Sequence, residues 1–247
     1  MKALKELRHG GVKSVFLRDQ AVKLIKGAIL RGEIPPGEVI SNEQLSAWLG
    51  ISRTPIREAL LELQRGGMVI IHRGKGTEVA RLSRKDVVEI FETREALEVK
   101  SCELMIERMG DGSIKGLESI LEKQARDASR GEELGFLEGD HQFHLLLAKG
   151  SGNGRLYNAV EAMRDQCMLL GTYALRQENR MSEVLGEHRE IVEALRRRDP
   201  SAARDAVIAH LRRSCNDVLI QFPGSSGGQD DNVWDGRENG EAGAGVL

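Results

Sequence analysis

Asp140 and His144 stand four residues apart in a stretch of helical periodicity, so they share one face, and Leu137 and Leu147 fall on that face with them. His188 lies inside a second apolar stripe made by Val184, Leu185, Ile191, Val192 and Leu195. His210 lies inside a third, among Ala203, Ala206, Val207 and Ser214. A carboxylate on a core-facing stripe is costly unless something compensates its charge. Taken singly, each histidine reads as a hydrogen-bonded core residue. Three of them converging with Asp140 from three helices read as ligands for a divalent transition metal. Imidazole suits Zn, Ni or Fe, the carboxylate admits Mn, and Zn is the first expectation. His141, about 100° around the helix from Asp140, is expected at the surface. Glu138 and Glu187 should turn away from the ligand face, which leaves no general base beside the cluster.

Arg94 is a second anomaly. Val87, Ile90, Phe91, Leu97, Ser101 and Leu104 mark the inner face of its helix, and Arg94 sits on that face. Two readings stand side by side: a structural ion pair with Glu98 four residues on, or a bidentate clamp for a ligand carboxylate.

A different chemistry is written near the N-terminus, in Ser52-Arg53-Thr54-Pro55-Ile56-Arg57. Arg53 and Arg57 are one helical turn apart and project on one side, where either could make the bidentate arginine–guanine contact of major-groove readout. Ser52 and Thr54 are short donors suited to phosphate. Arg73 and Lys75 flank a Gly-rich turn from which they could reach the minor groove or the backbone, and Gly76 would permit close approach. A lone arginine here would be a solvated helix face; four cations left on one surface once the apolar stripe is assigned to the core point to DNA.

The elements that must position these residues can be read in order. Residues 1–17 are basic without clear periodicity and are expected to be a flexible arm. From Asp19, Val22, Ile25, Ile29 and Leu30 recur at helical spacing, and the helix stops before Gly32 and Pro35-Pro36. Ser41 to Gln44 is a capping box, and the helix behind it should turn Leu45, Trp48 and Leu49 inward and end at Gly50. Thr54 is expected as the next N-cap, with Pro55 at the first helical position. That helix should bury Ile56, Ala59, Leu60 and Leu63 and stop at Gly66-Gly67. Met68–Ile71 and Thr77–Ala80 read as the strands of a hairpin.

Residues 18–82 are thus expected to form a winged helix-turn-helix of three helices plus a β-hairpin wing. A second capping box at Ser83–Asp86 opens residues 83–222, a mainly α stretch with breaks near 109–113, 128–133, 150–154, 179–182 and Asp199-Pro200. This predicts a six- or seven-helix antiparallel bundle. Residues 223–247, with seven glycines, are expected to be a disordered tail.

Charge divides along the same boundary. The 247 residues carry a net −2, but residues 1–82 hold 14 Lys/Arg against 8 Asp/Glu, which leaves the remainder acidic. A basic module joined to an acidic one fits a polyanion binder with a regulatory partner, although uneven surface charge can also be without meaning. No stretch reads as a signal peptide or membrane span, and three scattered cysteines suit a reducing cytoplasm.

The run Leu45–Leu60 resembles the helix-turn-helix signature of the GntR superfamily of transcription regulators, over roughly residues 20–80. The resemblance implies dimers on palindromic operators, with Ser52, Arg53, Thr54 and Arg57 at recognition-helix contacts. Glu43, Lys75 and Gly76 match positions near the second helix and the wing. The set Arg94, Leu97-Glu98, Asp140, His144, His188 and His210 is similar to the FadR C-terminal-domain (FCD) branch of that superfamily. There the resemblance implies a sensor of organic acids, sugar acids or related metabolites. In its metal-binding members one Asp and three His hold the ion, and effector carboxylates complete the coordination. Acyl-CoA-binding relatives lack this set, so a fatty-acid sensor is not expected. The expected function is an effector-responsive, sequence-specific regulator, a repressor by preference, acting as a homodimer on double-stranded DNA. The competing class is a metal-dependent hydrolase or lyase with an accessory DNA-binding domain, but the chain has no H-E-x-x-H and no second ligand set. A constitutive architectural DNA binder with a structural metal is a third, lower-ranked reading.

Overall fold

The computed structural model describes residues 2–222 apart from Met109, Asp111 and Arg176; the tail expected over 223–247 lies outside the described residues. Helix α1 (Lys2–Leu30), strand β1 (Val39–Ile40), α2 (Asn42–Leu49), α3 (Arg53–Arg65), β2 (Val69–His72) and β3 (Gly76–Val79) form the N-terminal unit. Six helices follow among the described residues: α4 (Arg84–Arg108), α5 (Ser113–Arg130), α6 (Glu133–Gly150), α7 (Gly154–Ala174), α8 (Arg180–Arg196) and α9 (Pro200–Gln221).

Of the arm expected at 1–17, residues 2–17 are instead continuous with the rest of α1. Extending a helix already anchored by the buried Ala21, Ile25 and Ala28 avoids a new nucleation step, although Gly10-Gly11 lowers the intrinsic propensity of the segment. Ser41 closes its capping box with Gln44, the Ser41 hydroxyl accepting from the Gln44 amide while the Gln44 side chain accepts from Ser41 N–H. Trp48, expected inside, is half exposed at 51%. Helix α2 packs mainly on α3, so only a narrow stripe around Leu45 is covered. Helix α3 starts one residue before Thr54: Ser52 is the N-cap and Pro55 is the third helical residue. Proline is tolerated there for the reason it is tolerated at the first position, since the opening N–H groups of a helix lack partners inside it.

The wing is a three-stranded antiparallel sheet in the order β1-β3-β2, with Val69 opposite Val79 and His72 opposite Gly76. Strand β1, two residues long, carries no period that a sequence could show. It sets the requirement for glycine at position 76. Gly76 has φ +109°, and a Cβ there would stand 2.9 Å from the Ile40 carbonyl oxygen. Gly76→Ala is therefore expected to destabilise the wing by about 1–2 kcal/mol, read as a lower melting temperature; an unchanged one would mean that β1 yields freely.

In the second unit Ser83 and Asp86 close their capping box, and Asp199 caps α9 with Pro200 behind it. Helices α4, α6, α7 and α9 surround a core that includes Val87, Met105, Phe143, Leu147, Val207 and Leu211, while α5 and α8 cover its side. Helix α7 also touches α1, which ties the two units together. No helix among the described residues is long and apolar enough to cross a membrane.

Candidate functional site

Helix α6 supplies Asp140 and His144, α8 supplies His188 and α9 supplies His210, and the structure brings all four together with candidate ligand atoms within 4.8 Å of one another. His144 and His188 are fully buried and His210 nearly so. The three rings share a feature that fixes their chemistry. His144 Nδ1 bonds the Glu98 carboxylate, His188 Nδ1 lies 3.1 Å from Gln124 Oε1, and His210 Nδ1 lies 2.7 Å from Glu187 Oε2. Each of these partners is an acceptor, so each Nδ1 carries the proton and each Nε2 presents a lone pair.

The lone pairs converge. His210 Nε2 is 3.3 Å from His144 Nε2, while Asp140 Oδ1 is 3.4 Å from His188 Nε2 and 3.8 Å from His144 Nε2. His188 Nε2 is buried without a hydrogen-bond partner. Ligands about 2.0–2.1 Å from a tetrahedral ion stand roughly 3.3–3.4 Å apart, so these spacings suit a transition metal. A buried group of acceptors with no donor among them could hold a cation.

The electrostatics favour deprotonated ligands. Burial holds the His188 imidazole down at about 3 and His144 well below its ordinary range. Burial opposes the charge on Asp140, but the Arg164 guanidinium beside it keeps its carboxyl well below the usual carboxylate range. Glu187 is likewise penalised by burial, yet its hydrogen bonds to His210 and Arg180 bring it to about 2.

Arg94 fulfils one of its two readings in full and leaves room for the other. Its Nε donates to Glu98 Oε1 at 2.7 Å, both side chains fully buried, while Nη2 is buried with no partner. Burial works against the Arg94 charge, but Glu98 and then Cys167 and Asp140 lift its pKa further. Arg164, on α7, bonds Asp140 Oδ2 and leaves its own Nε buried and unpaired. Both arginines line a cavity of about 50 Å³ that reaches Asp140 and His210, with Phe91, Phe136 and Met168 among its apolar walls.

Two sequence expectations fail here. His141 is buried, only 7% exposed, with Nε2 3.8 Å from Asp165 Oδ1; helices α5, α4 and α7 all pack on α6, which leaves it little free face. Burial, with Arg164 and Lys26 nearby, takes its imidazole down to about 3. Glu187 does not turn away but orients His210, because α9 lies close enough to be reached from a position 100° off the α8 ligand stripe. Glu138 is exposed, as expected. Arg164 was missed, although it interrupts the buried stripe Leu156, Val160 and Cys167 just as Arg94 interrupts its own. Gln124 was missed as well.

At the other end of the molecule Ser52, Arg53, Thr54, Arg57, Arg73 and Lys75 are all exposed on α3 and the wing turn. Arg53 Nη1 pairs with Glu43 Oε1 at 3.0 Å across the helix-turn-helix, whereas Arg57 has no ion-pair partner among the described residues. Gly76 is half-buried under β1, so its small size serves the sheet itself.

A winged helix-turn-helix with arginines on the open face of its second helix, joined to a six-helix bundle, defines a DNA-binding regulator. The chain belongs to the GntR family: the profile of the bacterial regulatory proteins of the gntR family matches residues 17–79, and that of the FCD domain matches residues 89–213. It is 32% identical over 192 residues to the uncharacterized HTH-type transcriptional regulator YdhC of Bacillus subtilis, covering 77% of this chain and 86% of that one. It is 24% identical over 202 residues to the HTH-type transcriptional repressor RspR of Escherichia coli, covering 82% and 89%. The fold matches McbR/YncC of Escherichia coli with a TM-score of 0.74 at 21% identity, over 83% of this chain and 98% of that one. The chain is therefore a transcription regulator and not a hydrolase or lyase.

Proposed function

We propose that the protein is a metal-dependent sensor of a small organic or sugar acid and that it represses transcription as a homodimer on a palindromic operator. The observation that carries this is the donor-free convergence of His144, His188 and His210 Nε2 with Asp140 Oδ1. Those four atoms would hold the ion, Zn first among Zn, Ni, Mn and Fe. A bound transition metal would supply a Lewis-acid position for one carboxylate of the effector. The chain's own residues do the rest. Glu98, Gln124, Glu187 and Arg164 orient the four ligands, and the unpaired N–H groups of Arg94 and Arg164 offer a second hold on an acid entering the cavity. Ser52, Arg53, Thr54 and Arg57 face the major groove from α3, with Arg73 and Lys75 on the wing. Glu43 sets the pose of Arg53. Repression is favoured because relatives such as RspR are named repressors, and effector binding in the bundle would shift the arrangement of two DNA heads that must match two half-sites. Residence in the cytoplasm follows from that role.

The test is to select operator fragments from genomic DNA with the zinc-loaded protein and then titrate small mono- and dicarboxylates against the complex. Release by one class of acid, lost after chelation, supports the reading. Release that ignores the metal removes the sensor from it, and selection of no palindromic site removes the operator. The orienting residues give a separate expectation. Glu187→Gln should weaken metal affinity by about 10–100-fold, measured by competition with a chromophoric chelator; unchanged affinity would make Glu187 a packing residue only.

A further inference from the structure

Helix α7 has two faces with different neighbours. One carries Arg164, which bonds Asp140, Cys167, which accepts from Arg94, and Met168 on the cavity wall. The other lies against the DNA-reading unit. Asp165 Oδ1 accepts from Lys26 Nζ of α1 at 2.6 Å, with both side chains roughly four-fifths buried. Leu169 packs on the N-terminal core. The chain leaving α3 comes so near that a Cβ on Gly66 would stand 2.7 Å from Asp165 Oδ2, and one on Gly67 2.8 Å from the Gln166 amide.

Two adjacent pairs of residues meet across the α6–α7 contact. Asp140 touches Arg164, and its neighbour His141 approaches Asp165 at 3.8 Å. The first residue of each pair faces the ligand cluster, and the second faces the DNA-reading unit. One peptide bond on each helix therefore separates the cluster from a partly buried ion pair with α1, which packs directly on α3. Arg164 bonds Asp140 through Oδ2 while Oδ1 faces the histidines, so whatever the cluster holds acts on the side chain next to Asp165.

We propose that Asp165 is a positioning residue that couples the cluster to the DNA heads: through Lys26 and the Gly66-Gly67 bend it sets how α1 and α3 sit on the bundle, in response to the Arg164–Asp140 contact. The inference rests on the reading of the cluster as a metal site. A small junction with one ion pair and two glycines at contact is the kind of interface that has discrete arrangements, and the bias between them need only be modest to act on operator binding. The charge is what matters in this account, not the bulk. Asparagine at 165 keeps the close fit to Gly66 and loses the ion pair.

The experiment is amide hydrogen exchange on the full chain with and without Zn²⁺, in wild type, Asp165→Asn and Lys26→Met. In the wild type Zn²⁺ should slow exchange in α6, α8 and α9 and also change it in α1 and at Gly66-Gly67. In either variant the response of α6, α8 and α9 should persist, while that of α1 and the glycines falls at least about fivefold. Variants that transmit like the wild type, or a wild type whose response stays within the bundle, overturn the coupling role alone. No response anywhere overturns the metal reading and the coupling role with it.

Discussion

Replacing Asp140 and His144 together by alanine is expected to take the transition-metal content of protein purified without chelator from about one ion per chain to none. The size of the effect follows from the donor set. Three neutral imidazoles and a carboxylate make a four-ligand site, and removing two of them leaves His188 and His210 without the anion that balances the ion's charge. The fold should survive the loss. Both positions lie inside the bundle rather than in a cap or turn, and removing them also removes the convergence of unbonded acceptors, so the cavity created at His144 is partly offset. Arg164 would lose its partner Asp140, which makes Asp140→Asn/His144→Ala a useful companion with a milder demand on Arg164. Elemental analysis beside circular dichroism separates the outcomes. Metal absent from both wild type and variant would return the three histidines to the role of hydrogen-bonded core residues. The DNA-reading surface would be untouched by that result.

What the sequence made legible follows from how many neighbours each helix has. Most breaks in the bundle fall where expected, since apolar periodicity and caps such as Ser83 and Asp199 are local signals. The one expected at 179–182 comes earlier, because α7 ends at Ala174 and α8 already begins at Arg180. Asp140, His144, His188 and His210 could be grouped because each interrupts an apolar stripe, and the four polar interruptions together suit one metal. Their orienting partners were harder. Glu98 was visible as a neighbour of Arg94, but its second contact, to His144, joins α4 to α6 across 46 positions and leaves no local trace. Gln124 and Glu187 sit on helices whose order in space a periodicity does not give. His141 shows the general limit: a period assigns one buried face, whereas α6 is covered by α4, α5 and α7 and keeps only a narrow outer stripe at Leu134, Glu138, Gln142 and Lys149. Trp48 errs in the opposite sense, because α2 has a single main partner and cannot bury a full stripe. Strand β1 is too short to show any period, and it exists through pairing with β3, a tertiary fact.

Arg57→Ala should weaken specific operator binding by roughly 1–3 kcal/mol, about 5- to 150-fold in Kd, while metal content stays at the wild-type level. The protein side contributes little to this difference. Arg57 is exposed on α3 without an ion-pair partner among the described residues, and alanine is at least as good a helix former. Arg53 is a less clean test, because its loss also frees Glu43, whose negative charge would then face the phosphates alone. An anisotropy titration at two salt concentrations tells what Arg57 touches. If it reads a base edge, discrimination against one substituted base pair falls and the salt slope hardly changes. If it holds a phosphate, affinity falls evenly for all sequences and the slope drops by about one. Unchanged affinity for the selected operator would remove Arg57 from the interface and shift the reading surface toward Arg53 and the wing.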